Sequence, residues 1–326
     1  MTTVLPAPVE ATVGLTLTDR ERREVEELAE ALTAASPRLI DERAWMDTAR
    51  RLSNSLPLRI REEVRQYRHD PGVGGLLILR NLPIDAEGLP DTPAVPDSVE
   101  RAATVPASVI SLISLSLGEV VAYRAEKFGA LVQNVVPIPG REESQSNAGS
   151  TLLELHVENA FHPHRPDYVG LLCLRNDHTG TAGTFVSSIR RALALLPDDV
   201  REVLSAPRFA TEPPPSFQAG ETPRHPVLGG DPRDPDIRVD FHATHPLDEE
   251  AAGALRQLRT ALLDVAAMLV LQPGELAFVD NRVAVHGRTS FRPHYDGRDR
   301  WLHRTFVHLD HRRTTGHRPG GGLVLA

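Results

Sequence analysis

The sequence predicts a mainly β protein with flanking helices: a double-stranded β-helix (jelly-roll) core carrying a helical layer on its outside. Three observations predict it. Helical periodicity dominates only up to about residue 74. From about 130 onward, short segments of strand texture follow one another. Two helical stretches interrupt that series without ending it. The 326-residue chain could hold two domains by length, but barrels with added helices often run this long as one unit. A single domain is therefore expected over 1–326, with 1–74 a mainly helical layer, about 75–310 the core, and 311–326 a mobile tail.

Residues 1–14 read as frayed. Thr18-Asp-Arg-Glu21 is a capping box, after which Val25, Leu28, Ala29 and Leu32 keep helical spacing. Two further helical patterns run through Trp45, Ala49 and Leu52, and through Ile60, Val64 and Tyr67. Residues 74–84 hold a buried strand bounded by turn residues, 85–104 is a Pro- and Asp-rich loop, and 109–117 is a helix, apolar along one side. Strands are predicted over 131–138, 152–158, 168–175, 184–187, 237–244, 276–279 and 301–309. The interrupting helices are 189–204, split at Pro197, and 251–269, with Ala251, Leu255, Leu258, Leu262, Val265 and Leu269 on one face. The Pro-rich stretch 211–235 is too long for an ordinary connection and reads as a lid over the site. There are no internal repeats.

A formal net charge of −8, the lack of any basic run and 5% aromatic residues argue against nucleic acid as a partner. No segment approaches 18 consecutive apolar residues, so no membrane span is expected, and the first residues lack the basic and apolar regions of a signal peptide. The one cysteine, Cys173, excludes an internal disulfide and reads as a buried strand thiol. These features suit a reducing cytoplasm. A homo-oligomer is compatible with them, though nothing specifies one.

The chemistry centres on residues 152–160. Leu153, Leu155 and Val157 alternate with Glu154, His156 and Glu158, so His156 and Glu158 share one face of a strand. A lone His-x-Glu often decorates a solvated strand. With His286 as a third ligand, however, the set becomes two imidazoles and one carboxylate with open positions, the facial triad of non-haem Fe(II) oxygenases. A second alternating block follows. Arg300, Leu302, Arg304 and Phe306 share a face, and two guanidiniums turned inward would be buried charges without partners unless carboxylate ligands arrive. Thr184, opening a strand after Gly180-Thr-Ala-Gly, could hydrogen-bond the same anion as Arg300. His162 and His164 sit in a Pro-broken turn and compete poorly as ligands. His294, His303, His308, His311 and His317 read as surface or packing residues, and Asp280 and Asn281 as turn-shaping ones.

Three stretches together carry a family resemblance: His156-Val-Glu158-Asn-Ala-Phe-His-Pro-His-Arg-Pro-Asp167-Tyr, Val-Asp-Asn-Arg-Val-Ala-Val-His286-Gly-Arg-Thr-Ser-Phe, and Arg300-Trp-Leu-His-Arg304. Over about 75–310 the chain resembles the clavaminate synthase-like group of Fe(II)/2-oxoglutarate oxygenases. It is most similar to the asparagine oxygenase and arginine β-hydroxylase branch, which hydroxylates free amino acids for peptide natural products. The resemblance implies Fe(II), 2-oxoglutarate as cosubstrate and dioxygen, with hydroxylation at C3 of a free L-amino acid. It implies that Arg300, helped by Thr184, pairs with the distal carboxylate of 2-oxoglutarate, and that Arg304 holds the substrate α-carboxylate. Glu158 would also meet the substrate amine. Glu126, Asn147 and Asp240, with Gln145 less securely aligned, fall where the group places its substrate-binding residues. Arginine hydroxylases use a pair of acids for the guanidinium; here the i−2 partner of Asp240 is Arg238. That departure favours a carboxamide such as asparagine, or a singly gripped amine such as lysine.

Rival readings are a desaturase or cyclase of the same group, a zinc-dependent hydrolase, and a non-catalytic barrel sensor. Three ligands and an open position suit a zinc-bound water too. That reading leaves Arg300 and Arg304 without a role, and intact His156, Glu158 and His286 argue against a decayed site.

Overall fold

The computed structural model describes residues 7–8, 14–217 and 222–326. The expectation of a frayed start falls mostly outside these residues. After β1 (Ala7–Pro8) and β2 (Leu15–Thr16) come α1 (Asp19–Ala34), α2 (Arg43–Ser53) and α3 (Leu58–His69). The capping box forms: Thr18 Oγ1 accepts from Glu21 N, and the Glu21 carboxylate accepts from Thr18 N at 2.8 Å. Next are β3 (Leu76–Arg80), β4 (Val99–Glu100) and α4 (Val105–Leu117), capped by Thr104. The last helix was expected to be apolar on one side, but it is buried almost all round. Its serines are absorbed by hydrogen bonds, such as Ser111 to Ala107 O at 2.7 Å and Ser114 to Thr305 at 2.9 Å.

The strand series then runs β5 (Glu119–Tyr123), β6 (Val132–Val135), β7 (Leu153–His156), β8 (Tyr168–Arg175) and β9 (Thr184–Ser188). Two short helices follow, α5 (Ile189–Ala192) and α6 (Asp198–Leu204), separated at Pro197 as expected. After them come β10 (Phe209–Thr211), β11 (Leu228–Asp231), β12 (Asp234–Ile237), β13 (Thr244–Pro246), α7 (Glu249–Asp264), β14 (Ala267–Leu269), β15 (Leu276–Asp280), β16 (Ala284–Arg288), β17 (Trp301–His308) and β18 (Val324–Leu325).

Two sheets face each other. One has the order β1-β14-β9-β16-β7; the other runs β18-β5-β17-β8-β15-β3-β2, with β6 pairing β17 and β4. Val121, Val169, Leu171, Cys173, Val186, Leu269, Leu302 and Phe306 fill the space between them. Helices α1–α4 cover the outer face of the larger sheet, and α5–α7 with the β11–β12 hairpin cover the smaller one. This is the mainly β architecture with flanking helices that the periodicities predict. No helix among the described residues is long and apolar enough to cross a membrane.

Several boundaries differ from expectation. The 152–158 strand stops at His156, and residues 238–243 are no strand: Asp240 Oδ1 accepts from His242 N at 2.8 Å and Ala243 N at 3.1 Å, an Asx-type turn that breaks the extended chain. Helix α7 ends at Asp264, because Ala267–Leu269 is taken into the sheet against Thr184–Val186. Strand β16 went unforeseen, since burial on both faces leaves it no alternation to read. Within 211–235, the end belongs to the β11–β12 hairpin, and among the described residues of the stretch 212–217 border the central cleft.

The tail is packed, contrary to the expected mobility. β18 lies parallel to β5, Leu325 is fully buried, and Arg318 donates to Thr314 Oγ1 at 3.1 Å, Gly322 O at 2.6 Å and His311 O at 2.9 Å. Leu325→Ala should accordingly cost about 2–4 kcal/mol, as buried leucine truncations do. An unchanged urea midpoint would mean the tail is not docked.

Candidate active site

β7 ends on His156, and the register sets it directly opposite His286 of β16. Facing residues of antiparallel strands point to the same side of a sheet, so the two imidazoles meet with ring centres 4.5 Å apart. Glu158 lies beyond the ladder and needs another anchor, which Asn281 supplies. Its Oδ1 accepts from Glu158 N at 2.7 Å, and its Nδ2 donates to Glu158 O at 3.0 Å and Pro166 O at 2.9 Å. Only an amide offers a donor and an acceptor in this arrangement.

One ligand atom from each of His156, Glu158 and His286 lies within 4.8 Å of the others. Glu158 Oε1 is 3.5 Å from His286 Nε2. His156 Nδ1 meets Glu154 O at 2.9 Å, which fixes the proton there and leaves Nε2 free to bind a metal. Burial first, and then the neighbouring His156, push His286 down from the usual imidazole range, while Glu158 pulls it up; the ring is held neutral, as a ligand must be. Burial would raise the Glu158 carboxyl, but Arg304 and the two imidazoles outweigh it and hold the group well below the usual carboxylate range. Two imidazoles and an ionised carboxylate at this spacing fit a ferrous ion.

Arg304, on the interior face of β17, is not the partnerless cation that the sequence suggests. Its Nη1 donates to Glu158 Oε1 at 2.8 Å, its Nε to Gln133 Oε1 at 3.2 Å, and its Nη2 to Glu126 and Gln133. With the Asn147 amide oxygen turned toward it, that oxygen accepts from both Nη atoms at 2.9 Å. The protein's own acids supply the compensation. Arg300 is different: it is 5% exposed, sits 5.9 Å from the Phe291 ring centre, and has no ion pair or side-chain hydrogen bond among the described residues. Burial lowers its pKa.

A cleft of about 850 Å³ opens over this centre, lined by His156, Glu158 and Arg304 and by Glu126, Gln145, Asn147 and Asp240. Asp240 pairs through a backbone bridge with His156. Gln145 is already engaged at both ends of its amide, by Leu152 O at 2.7 Å and Glu154 N at 3.1 Å, so it braces its loop. Arg238 donates to Ala160 O at 2.6 Å and Phe161 O at 2.9 Å and does not line the cleft. Thr184 is buried and does not line the cleft either; in the sheet it lies opposite Arg288.

Gln133 and Arg288 were missed, and Asn281, expected to shape a turn, sits in the turn after β15 and also anchors Glu158. For Arg288 a signal existed, since two residues past His286 it shares that ligand's face; Gln133 and the anchoring role of Asn281 are legible only once the strand pairing is known. His162 and His164 stay with the turn, His162 Nδ1 accepting from His164 N at 3.0 Å. His303 and His308 pack in β17. At the surface, His178 and His294 stack at 3.9 Å beside Asp296. Rings stacked in parallel do not aim their lone pairs at one point, so this group is a hydrogen-bonded surface cluster.

Lys127, at the cleft wall, donates to Ser98 O at 3.2 Å, and its pKa is lowered to about 8 by burial and then by Arg304. Between pH 8 and 10.5 the unfolded chain therefore binds this proton and the folded chain does not, so this group's contribution makes the fold more stable as pH rises through that window. Lys127→Met should flatten this rise, read as urea midpoints at pH 7.5 and 9.5.

The chain matches the family described as taurine catabolism dioxygenase TauD, TfdA over residues 51–306, beginning earlier than the motifs suggest. L-asparagine oxygenase of Streptomyces coelicolor is 50% identical over 313 residues, covering 95% of this chain and 94% of that protein. Clavaminate synthase 2 of Streptomyces clavuligerus is 33% identical over 276 residues, covering 83% and 85%. A solved structure of asparagine oxygenase in complex with Fe(II), 2S,3S-3-hydroxyasparagine and succinate superposes with a TM-score of 0.93 at 50% identity, over 96% of this chain and 98% of that one. The resemblance read from the motifs thus extends to the whole described fold, and the chain belongs to the TauD/TfdA dioxygenase family.

Proposed function

We propose that this chain is an Fe(II)- and 2-oxoglutarate-dependent hydroxylase of a free L-amino acid, acting at C3, with asparagine as substrate. It supplies a hydroxylated building block for peptide natural products. The proposed frame is one oxygenase domain whose two facing sheets form a jelly-roll core. His156, Glu158 and His286 would hold the iron, Arg300 with Thr184 the distal carboxylate of 2-oxoglutarate, and Arg304 the substrate α-carboxylate. When bound, such a centre supplies oxidative decarboxylation of 2-oxoglutarate to succinate and CO2, coupled to insertion of one oxygen atom into a C–H bond.

The observation that carries the reading is the position of Arg304, bonded to a metal-ligand candidate and ringed by Glu126, Asn147 and Gln133. An amino acid is recognised there as a zwitterion. Its carboxylate takes Arg304, and its ammonium meets Glu126 and Glu158. Asp240, across the bridge from His156, can accept from a carboxamide NH2 at the other end. A four-carbon amide gripped at both ends presents the carbon between its grips to the metal. With Arg238 two residues before Asp240 and turned away, the acid pair expected for a guanidinium is missing at that position. Glu212 to Phe217 border the mouth and can exclude water as a short lid.

The test is anaerobic loading with Fe(II) and 2-oxoglutarate, titration with a panel of free amino acids, and admission of oxygen. Asparagine should perturb the iron d–d bands and yield 3-hydroxyasparagine with equimolar succinate. Turnover without oxygen, or a response confined to another amino acid, would overturn the assignment.

A further inference from the structure

Arg288 ends β16 on the same side as His286, with Thr184 facing it across the sheet. It is 5% exposed, and its guanidinium donates to Thr151 O at 3.1 Å and, more weakly, to Ser146 O at 3.4 Å. Its Nε is buried without a partner among the described residues. No carboxylate among those residues pairs with it, and the same holds for Arg300. The two guanidiniums flank one ring: their central carbons lie 5.6 and 5.9 Å from the Phe291 centroid. Two neighbouring buried cations without a counter-ion are tolerable only where an anion comes to both.

The carbonyls that Arg288 holds belong to the loop that presents the cleft residues. Ser146 lies between Gln145 and Asn147, and Asn147 meets Arg304. One planar fork therefore lies between the proposed seat of the cosubstrate and the loop of the substrate. We propose that Arg288 is a positioning residue that couples the two: a carboxylate seated at Arg300 and Thr184 fixes the Arg288 guanidinium, which fixes Ser146 O and Thr151 O and so sets Asn147 against Arg304. Binding of 2-oxoglutarate then tightens binding of the amino acid. This rests on the function proposed above.

The coupling is measured on the anaerobic Fe(II) enzyme, without turnover. Asparagine is titrated calorimetrically with and without 2-oxoglutarate, and amide hydrogen exchange is followed across residues 141–153. In the parent protein 2-oxoglutarate should strengthen asparagine binding about tenfold, within the usual range of coupling between sites, and slow exchange in that segment. In Arg288→Gln the ratio should fall to near one and the added protection should vanish, while 2-oxoglutarate still saturates through Arg300. Arg288→Lys guards against misfolding of the first variant. It keeps the charge but not the fork, so it should bind 2-oxoglutarate nearly as the parent does and still lose the coupling. Full coupling and protection in either variant, or no response of the segment in the parent, would overturn the inference. Failure of 2-oxoglutarate to bind the parent protein would instead sink the functional reading.

Discussion

Glu158→Gln should lower turnover by more than about a thousandfold, equivalent to about 4 kcal/mol of transition-state stabilisation. The carboxylate serves two partners at once, the proposed iron and Arg304 Nη1 at 2.8 Å. Glutamine keeps the shape but brings no negative charge to either. The measurement is iron retained after gel filtration together with succinate formed per enzyme, with a circular-dichroism melt to verify folding. A variant that holds stoichiometric iron and turns over normally would remove Glu158 from the centre.

The second large effect divides the two arginines. Arg304→Ala should lower kcat/KM for asparagine by about a thousandfold or more, since it removes the carboxylate grip and leaves Glu126 without its ion-pair partner. The KM for 2-oxoglutarate should rise by no more than about tenfold, the size of the coupling proposed through Arg288, because Arg304 makes no hydrogen bond to Arg300 itself. Arg300→Ala should do the reverse, raising the KM for 2-oxoglutarate about a hundredfold, as the loss of a buried charge-assisted pair would. Parallel changes in both constants for both variants would mean that the division of labour is wrong.

The candidate centre was legible where chemistry and strand period coincide. His156 and Arg304 lie on strands and face the interior as the alternation predicts, whereas Glu158 stands past the end of β7 and Arg300 just before β17. The long helices were legible for the same reason, each with a cap or a clean apolar face. What escaped reading depends on partners distant in sequence. β16 is buried on both faces, so only its neighbours β9 and β7 define it. The end of α7 is set by a vacancy in the sheet that Ala267–Leu269 fills, not by a local stop signal. Arg304 looked like an orphan charge because Glu126 and Gln133 lie on other strands and loops, and no spacing rule connects them to β17.

On the proposed roles, the web around Arg304 also sets the order of events in biosynthesis. A residue already joined into a polypeptide has no α-carboxylate to offer the guanidinium and no α-ammonium for the two glutamates. It would enter by stripping water from these groups and giving nothing back. Oxidation here must therefore come before peptide-bond formation, and whichever ligase or synthetase follows has to select the modified monomer over its abundant unmodified parent.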